Sequence, residues 1–240
     1  MLQITAYGDA GLRVDFGNTI SEEINEKIRS FCMYLEKEQI PGVIEWIPTY
    51  TAVSIVYDPY LILFDELKKR IKLMEDQLSN LDLPAAEVVH IPVLYGGEKG
   101  PDLLRVAQRN GLSEEEVISV HTGTDYLIYM MGFIPGFPYL GGMSKKIAAP
   151  RLSNPREAIP AGSVGIAGEQ TGIYPLDSPG GWQIIGQTPV TIYDPNREQP
   201  ILLRAGNYIR FVPITSEEFD RIEAEVKAGS YITHVEKYKK

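Results

Sequence analysis

From Gly132 to Pro189 the chain carries eleven of its 22 glycines and eight of its 17 prolines. That density forbids a long helix, because an interior glycine costs about 1 kcal/mol and an interior proline about 3 kcal/mol. Disorder is excluded by what lies between them. Phe133, Phe137, Tyr139, Val164, Ile166, Ile173, Tyr174, Trp182, Ile184 and Ile185 supply ample apolar area to bury. Short strands joined by tight turns and closed into a barrel satisfy both demands.

The flanks read as ordinary elements. His90 to Leu94 is a strand. Pro101 suits the first position of a helix that Asn110-Gly111 ends, and Ser113 with Glu116 has capping-box spacing for another helix through Val120. Beyond the glycine-rich stretch, Val190 to Tyr193, Ile201 to Arg204 and Tyr208 to Val212 read as strands. A last helix opens at Thr215/Glu218, turns Phe219, Ile222 and Val226 inward and stops near Gly229, leaving a Lys-rich tail in solvent.

The first third has a different grammar. Leu2 to Thr5 and Leu12 to Phe16 read as strands around Gly8-Asp9. Thr19 and Glu22 have capping-box spacing, and Ile24, Ile28, Phe31 and Leu35 share one helical face. Strands Val43 to Ile47 and Ala52 to Tyr57 precede a second helix after Asp58-Pro59, striped by Phe64, Leu67, Ile71, Met74 and Leu78. The expected organisation is a small α/β domain over 1–80, a linker over 81–87, and a barrel domain with a C-terminal helix over 88–240. The first domain contains no histidine, so a scaffolding or docking role is assigned to it.

Charge narrows the function classes. Lys plus Arg number 23 against 32 for Asp plus Glu, a net charge of −9 with a pI near 5.0. Phosphate neutralisation needs a basic surface, so no nucleic acid is expected as a partner. The longest apolar stretch, around Tyr126 to Ile134, is far short of the roughly 20 residues of a membrane span, so no membrane partner is expected. No basic segment followed by a long apolar core opens the chain, and Cys32 has no internal partner for a disulfide; a reducing cytoplasm is the expected setting. Three scattered histidines and one cysteine predict no metal site.

Several fixed strings are more specific. Gly132-Phe133-Ile134-Pro135-Gly136-Phe137-Pro138-Tyr139-Leu140, Ile159-Pro160-Ala161-Gly162-Ser163-Val164-Gly165-Ile166-Ala167-Gly168, Gln170-Thr171-Gly172-Ile173-Tyr174-Pro175 and Ser178-Pro179-Gly180-Gly181-Trp182 occur in order. With Pro150-Arg151 and Pro155-Arg156 they resemble the allophanate hydrolase subunit 1 family, which includes the B subunit of bacterial 5-oxoprolinase (PxpB). Within it the chain also resembles the KipI branch, inhibitors of the sporulation kinase KinA. The resemblance implies a cyclophilin-like β-barrel behind a small α+β N-terminal domain. It implies ATP as co-substrate in opening 5-oxo-L-proline to L-glutamate, together with PxpC/KipA-type and PxpA-type subunits. It also implies inhibition of a sensor histidine kinase, KinA, controlling sporulation. One departure is Gln187, where family members often carry arginine.

The candidate residues divide by chemistry. No phosphate-binding Gly-x-x-x-x-Gly-Lys string is present, so another subunit is expected to supply much of an ATP site. His121 closes a helix, either as a cation favoured by the helix dipole or as an acid/base group of a site. Arg151 and Arg156 each follow a proline and are candidates to hold a carboxylate such as 5-oxoproline, or to form surface ion pairs. Gln170, Thr171 and Tyr174 sit in a glycine-bracketed turn that lets backbone approach a ligand. Phe133, Phe137, Pro138, Tyr139 and Trp182 either line an apolar groove or fill the barrel. Ser163 is one residue off a nucleophile elbow and reads as a turn or site-lining hydroxyl. His90 and His234 are given no function.

Overall fold

The computed structural model describes residues 2–78 and 83–239. The chain divides into two units, Met1–Pro84 and Ala85–Lys240.

In the first unit, strands β1 (Gln3–Ala6), β2 (Gly11–Asp15), β3 (Val43–Pro48) and β4 (Ala52–Tyr57) form an antiparallel sheet in the order β1-β2-β4-β3. Alternation decides its faces. Leu12 and Val14 of β2 and Val53, Ile55 and Tyr57 of β4 are buried. Against them lie helices α1 (Glu22–Glu38), through Ile24, Ile28, Phe31 and Leu35, and α2 (Phe64–Leu78), through Leu67, Ile71 and Met74. The Leu78 side chain and linker residues 81–82 lie outside the described residues. The cap of α1 corrects the sequence expectation. Ser21, not Thr19, is the N-cap, and its Oγ accepts from the Ile24 N–H at 3.2 Å.

The second unit opens with β5 (Glu87–Tyr95), so its first strand takes in the last residue of the expected linker. Helices α3 (Leu103–Asn110) and α4 (Glu114–Thr122) follow, then β6 (Tyr126–Met131), β7 (Pro138–Gly141), β8 (Arg156–Ile159), β9 (Ser163–Ala167), β10 (Gln170–Ile173), β11 (Ser178–Gly180), β12 (Gln183–Gln187), β13 (Tyr208–Pro213), α5 (Ser216–Lys227) and β14 (Val235–Lys237). The main sheet runs β10-β9-β12-β5-β13-β6-β7, and its two end strands, β10 and β7, touch. A twisted sheet whose ends meet is a nearly closed barrel. Ile91, Val93, Tyr126, Ile128, Val164, Ile166, Ile173, Ile185, Ile209 and Phe211 fill it, and Leu103, Val106 and Val117 of α3 and α4 join the same core. The architecture is therefore an α+β unit followed by a barrel.

Three local expectations give way. Pro101 does not open α3; Asp102 is its N-cap, and the Asp102 carboxylate is committed elsewhere. Val190 to Tyr193 and Ile201 to Arg204 form no strands, only the single bridge Tyr193↔Ile201. The Lys-rich tail is not merely solvated, because β14 pairs antiparallel with β5. Among the described residues no helix is long and apolar enough to cross a membrane.

Candidate functional site

The string from Gly132 to Phe137 connects β6 to β7 by two consecutive tight turns. Phe137 N–H donates to the Ile134 carbonyl at 3.1 Å across a turn with Pro135 second and Gly136 third, and Gly136 has φ +84°. This is the pattern a type II turn requires: proline pre-sets the second residue, and glycine takes the left-handed third. Immediately before it, Ile134 N–H donates to the Gly132 carbonyl at 2.9 Å, closing a γ-turn with Phe133 at its centre. Phe133 has φ +67°, strained for a residue with a Cβ, and its ring is 70% exposed. The turns lift one aromatic ring out of the barrel.

Beneath that ring is a cleft of about 150 Å³ lined by Phe133, Phe137, Tyr139, Arg151, Gln170, Tyr174, the Pro179-Gly180-Gly181 segment and Trp182. Phe137, 3% exposed, is its hub. Its ring centroid lies 5.7 Å from Phe133, 5.5 Å from Tyr139, 5.8 Å from Tyr174 and 5.7 Å from Trp182, edge to face in each case. Edge-to-face packing of this kind adds roughly 0.5–1.5 kcal/mol per pair to the area buried. Glycine makes the approach possible. A Cβ at Gly172 would stand 3.1 Å from Phe137 and 3.2 Å from Trp182.

Arg151 is exposed at the cleft, and among the described residues it has no carboxylate partner. Arg156 is differently employed. Its Nη2 donates to Asp102 Oδ1 at 2.9 Å, while Asp102 Oδ2 accepts from the Ile184 N–H at 2.7 Å. The Asp102 side chain is only 3% exposed, so both carboxylate oxygens are satisfied away from water. The arrangement ties the start of α3 to β8 and β12, beside Trp182. Burial pushes the Tyr174 phenol up, and the positive charge of Arg151 acts against that shift.

The remaining candidates are buried. His121 is fully buried: Nδ1 is 2.8 Å from the Tyr95 hydroxyl, and Nε2 is 2.8 Å from Thr171 Oγ1. Thr171 Oγ1 spends its only proton on the Gly165 carbonyl at 3.1 Å, so it must accept from His121 Nε2–H. Nδ1 then accepts from Tyr95, which fixes a single neutral tautomer. Burial pushes His121 down to about 3. Packed against Tyr126 and Phe211, the ring is neither a helix-end cation nor open to a ligand. Thr171 is 1% exposed and Ser163 2%, so both hydroxyls belong to the interior and not to the cleft. Pro138 is buried at the start of β7 and does not line the cleft.

Of the sequence candidates, Phe133, Phe137, Tyr139, Arg151, Gln170, Tyr174 and Trp182 thus converge on one cleft, with Arg156 behind it. Gln187 stands apart, its Nε2 donating to the Ala161 carbonyl at 2.7 Å. Sequence reasoning misses Asp102; an acid after Pro101 reads as a helix cap, and its partner Arg156 is 54 positions away. It also misses that His90 and His234 meet, their ring centroids 4.4 Å apart.

The chain matches the family of carboxyltransferase domains, subdomain C and D, over residues 2–203. It is 45% identical over 233 residues to the 5-oxoprolinase B subunit of Bacillus subtilis (strain 168), covering 93% of this chain and 97% of the relative. Among solved structures it is similar to TTHA0988, with a TM-score of 0.75 and 38% identity over 90% of this chain; it spans 41% of that longer chain. It also superposes on the urea amidolyase of K. lactis with a TM-score of 0.76, covering 99% of this chain and 16% of that one; at 20% identity this likeness speaks for the fold.

Proposed function

The chain belongs to the carboxyltransferase subdomain C and D family, among its 5-oxoprolinase B subunits, and from that membership we propose that it is the B subunit of an ATP-dependent 5-oxoprolinase. The assembled enzyme would open 5-oxo-L-proline to L-glutamate at the expense of ATP and water, in the cytoplasm. The observation that carries the reading is the open cleft itself, apolar on its walls with the guanidinium of Arg151 at its edge.

A lactam carrying a carboxylate suits that combination. Tyr139 and Trp182, backed by the buried Phe137, offer ring surface to the five-membered ring. Arg151 offers a planar fork to the carboxylate, with two parallel N–H donors. Arg156, held by Asp102, keeps the Trp182 backbone in place, its Nη1 3.4 Å from the Trp182 carbonyl. ATP is the co-substrate of the assembly, and a PxpC/KipA-type subunit and a PxpA-type subunit complete it. His121, neutral and sealed, holds the barrel together in this scheme and takes no proton from substrate.

The test is reconstitution. The purified chain is mixed with its two partner subunits, 5-oxoproline and ATP, and glutamate and ADP are followed. Turnover requiring all three chains is expected; a rate no higher than that of the partners alone overturns the reading.

A second reading is favoured by Phe133, whose strained backbone and exposed ring suit contact with another polypeptide better than contact with a small acid. On it the same cleft docks a sensor histidine kinase of the KinA type and lowers its autophosphorylation. Phosphohistidine formation in purified kinase should fall as the chain is added, and undiminished labelling at excess chain overturns this second role.

A further inference from the structure

Away from the cleft, β14 lies along β5 so that the His90 N–H donates to the His234 carbonyl at 3.0 Å. This backbone bond sets two imidazoles opposite each other across the ladder, with ring centroids 4.4 Å apart. Glu236, two residues beyond His234, brings its Oε1 to 3.2 Å from His90 Nε2. The donor atoms of His90, His234 and Glu236 all lie within 4.8 Å of one another.

We propose that His90, His234 and Glu236 form a binding site for a divalent transition-metal cation of the zinc class, clipping the C-terminal strand to the barrel. The donor set argues for the class. Two imidazoles and one carboxylate suit zinc, nickel or copper, whereas magnesium and calcium take oxygen ligands. Three protein ligands leave a fourth tetrahedral position for water. Ligands at about 2.1 Å from a tetrahedral ion stand about 3.4 Å apart, so closure from the observed spread needs only side-chain rotation. The site's surroundings permit it. The His90 side chain is 19% accessible and that of Glu236 42%, and His234 is exposed, so an ion can enter and the rings can turn.

Arg210 is the neighbouring charge to reckon with, its Nη1 2.7 Å from Glu236 Oε1. The guanidinium is nevertheless held by Asp125 through two bonds of 2.6 Å, Nε to Oδ1 and Nη2 to Oδ2. Asp125 balances the Arg210 charge, and Glu236 can turn to a cation without leaving an arginine unpaired. Metal ligation replaces the His90–Glu236 contact and leaves the Arg210–Asp125 pair intact. This inference is independent of the proposed 5-oxoprolinase role, since none of its residues lines the cleft.

Titration calorimetry of the full chain with ZnCl2, and with MgCl2 for comparison, tests it. One zinc ion per chain and no magnesium is expected. His90→Ala, His234→Ala and Glu236→Gln should each weaken zinc by more than about tenfold, while Cys32→Ser leaves it unchanged. The cobalt-loaded protein should show a tetrahedral visible band without thiolate charge transfer. No zinc binding, zinc binding undiminished in the folded His90→Ala/His234→Ala double variant, or a thiolate band would each overturn the proposal. His234 is exposed, so its single variant reads the site even if His90→Ala disturbs the fold.

Discussion

Within the barrel unit two aromatic clusters use similar side chains to opposite ends. Around His121 stand Tyr95, Tyr126 and Phe211, and every polar atom the histidine offers is matched inside the protein. Around Trp182 stand Phe137, Tyr139 and Tyr174, with Phe133 and Arg151 facing solvent. The first cluster has satisfied its hydrogen bonds and excluded water, so its chemistry is spent on stability. The second turns the Phe133 ring to solvent and holds a guanidinium that has no carboxylate partner among the described residues, so its chemistry is available to a ligand. A titratable residue inside a family-like string is therefore not by itself a site; what distinguishes the two is whether its bonding capacity is already used.

The sharpest way to break that contrast is to remove His121. His121→Ala would empty a buried ring and strand the Tyr95 hydroxyl and Thr171 Oγ1, and should destabilise the barrel by about 3–5 kcal/mol. In a Trp46→Phe background Trp182 is the sole tryptophan, and its fluorescence during urea unfolding reports this unit. A loss below about 1 kcal/mol would mean that the cluster is not the sealed anchor described.

Asp102→Asn is next. It removes the charge that faces Arg156 and sets an amide N–H2 against one of the two donors, the Arg156 guanidinium or the Ile184 N–H. A loss of about 2–3 kcal/mol is expected in the same unfolding measurement, with reduced turnover of the reconstituted enzyme because Arg156 no longer steadies Trp182. His121 predicts a pH effect of similar size. Its pKa is about 3 in the fold against 6.5 in the unfolded chain. The unfolded state binds the extra proton, so stability is full above pH 6.5 and falls as pH drops toward 3 at about 1.4 kcal/mol per unit. Between pH 7.5 and pH 5 the wild type should lose about 2 kcal/mol, and His121→Gln should flatten that slope.

Arg151→Ala sharpens the comparison from the open side. The side chain is exposed, so unfolding should be unchanged within about 0.5 kcal/mol. Turnover with 5-oxoproline should fall about tenfold or more, the worth of a charge-assisted hydrogen bond. Equal turnover would remove Arg151 from the substrate.

The residues explain how far the sequence can be read. The helix starts at Ser113/Glu116 and Thr215/Glu218 are legible because a capping box is a local device, complete within four residues. The barrel is legible because glycine and proline density excludes the alternatives. Ser21 escapes notice because its partner at the third position is Ile24, whose backbone does the bonding whatever its side chain. His121, Thr171 and Ser163 are candidates on sequence, yet burial is set by strands far apart in the chain. His121 meets Thr171 across 50 positions, and His90 meets Glu236 across 146. Such pairings follow from topology, which no local spacing encodes.

Phe133 carries the smallest and most diagnostic prediction. Its φ of +67° is uncomfortable for any residue with a Cβ, and its ring is mostly in solvent. Were the residue present for the fold, glycine should be harmful there, since the ring's contact with Phe137 would be lost. If it is present for a partner, Phe133→Gly relieves the backbone, and stability should hold or rise by up to about 1 kcal/mol. Affinity for the partner subunits or the kinase, read by surface plasmon resonance, should then fall by about tenfold, as for an aromatic anchor. A variant that loses stability and keeps its affinity would move Phe133 to the sealed side of the comparison.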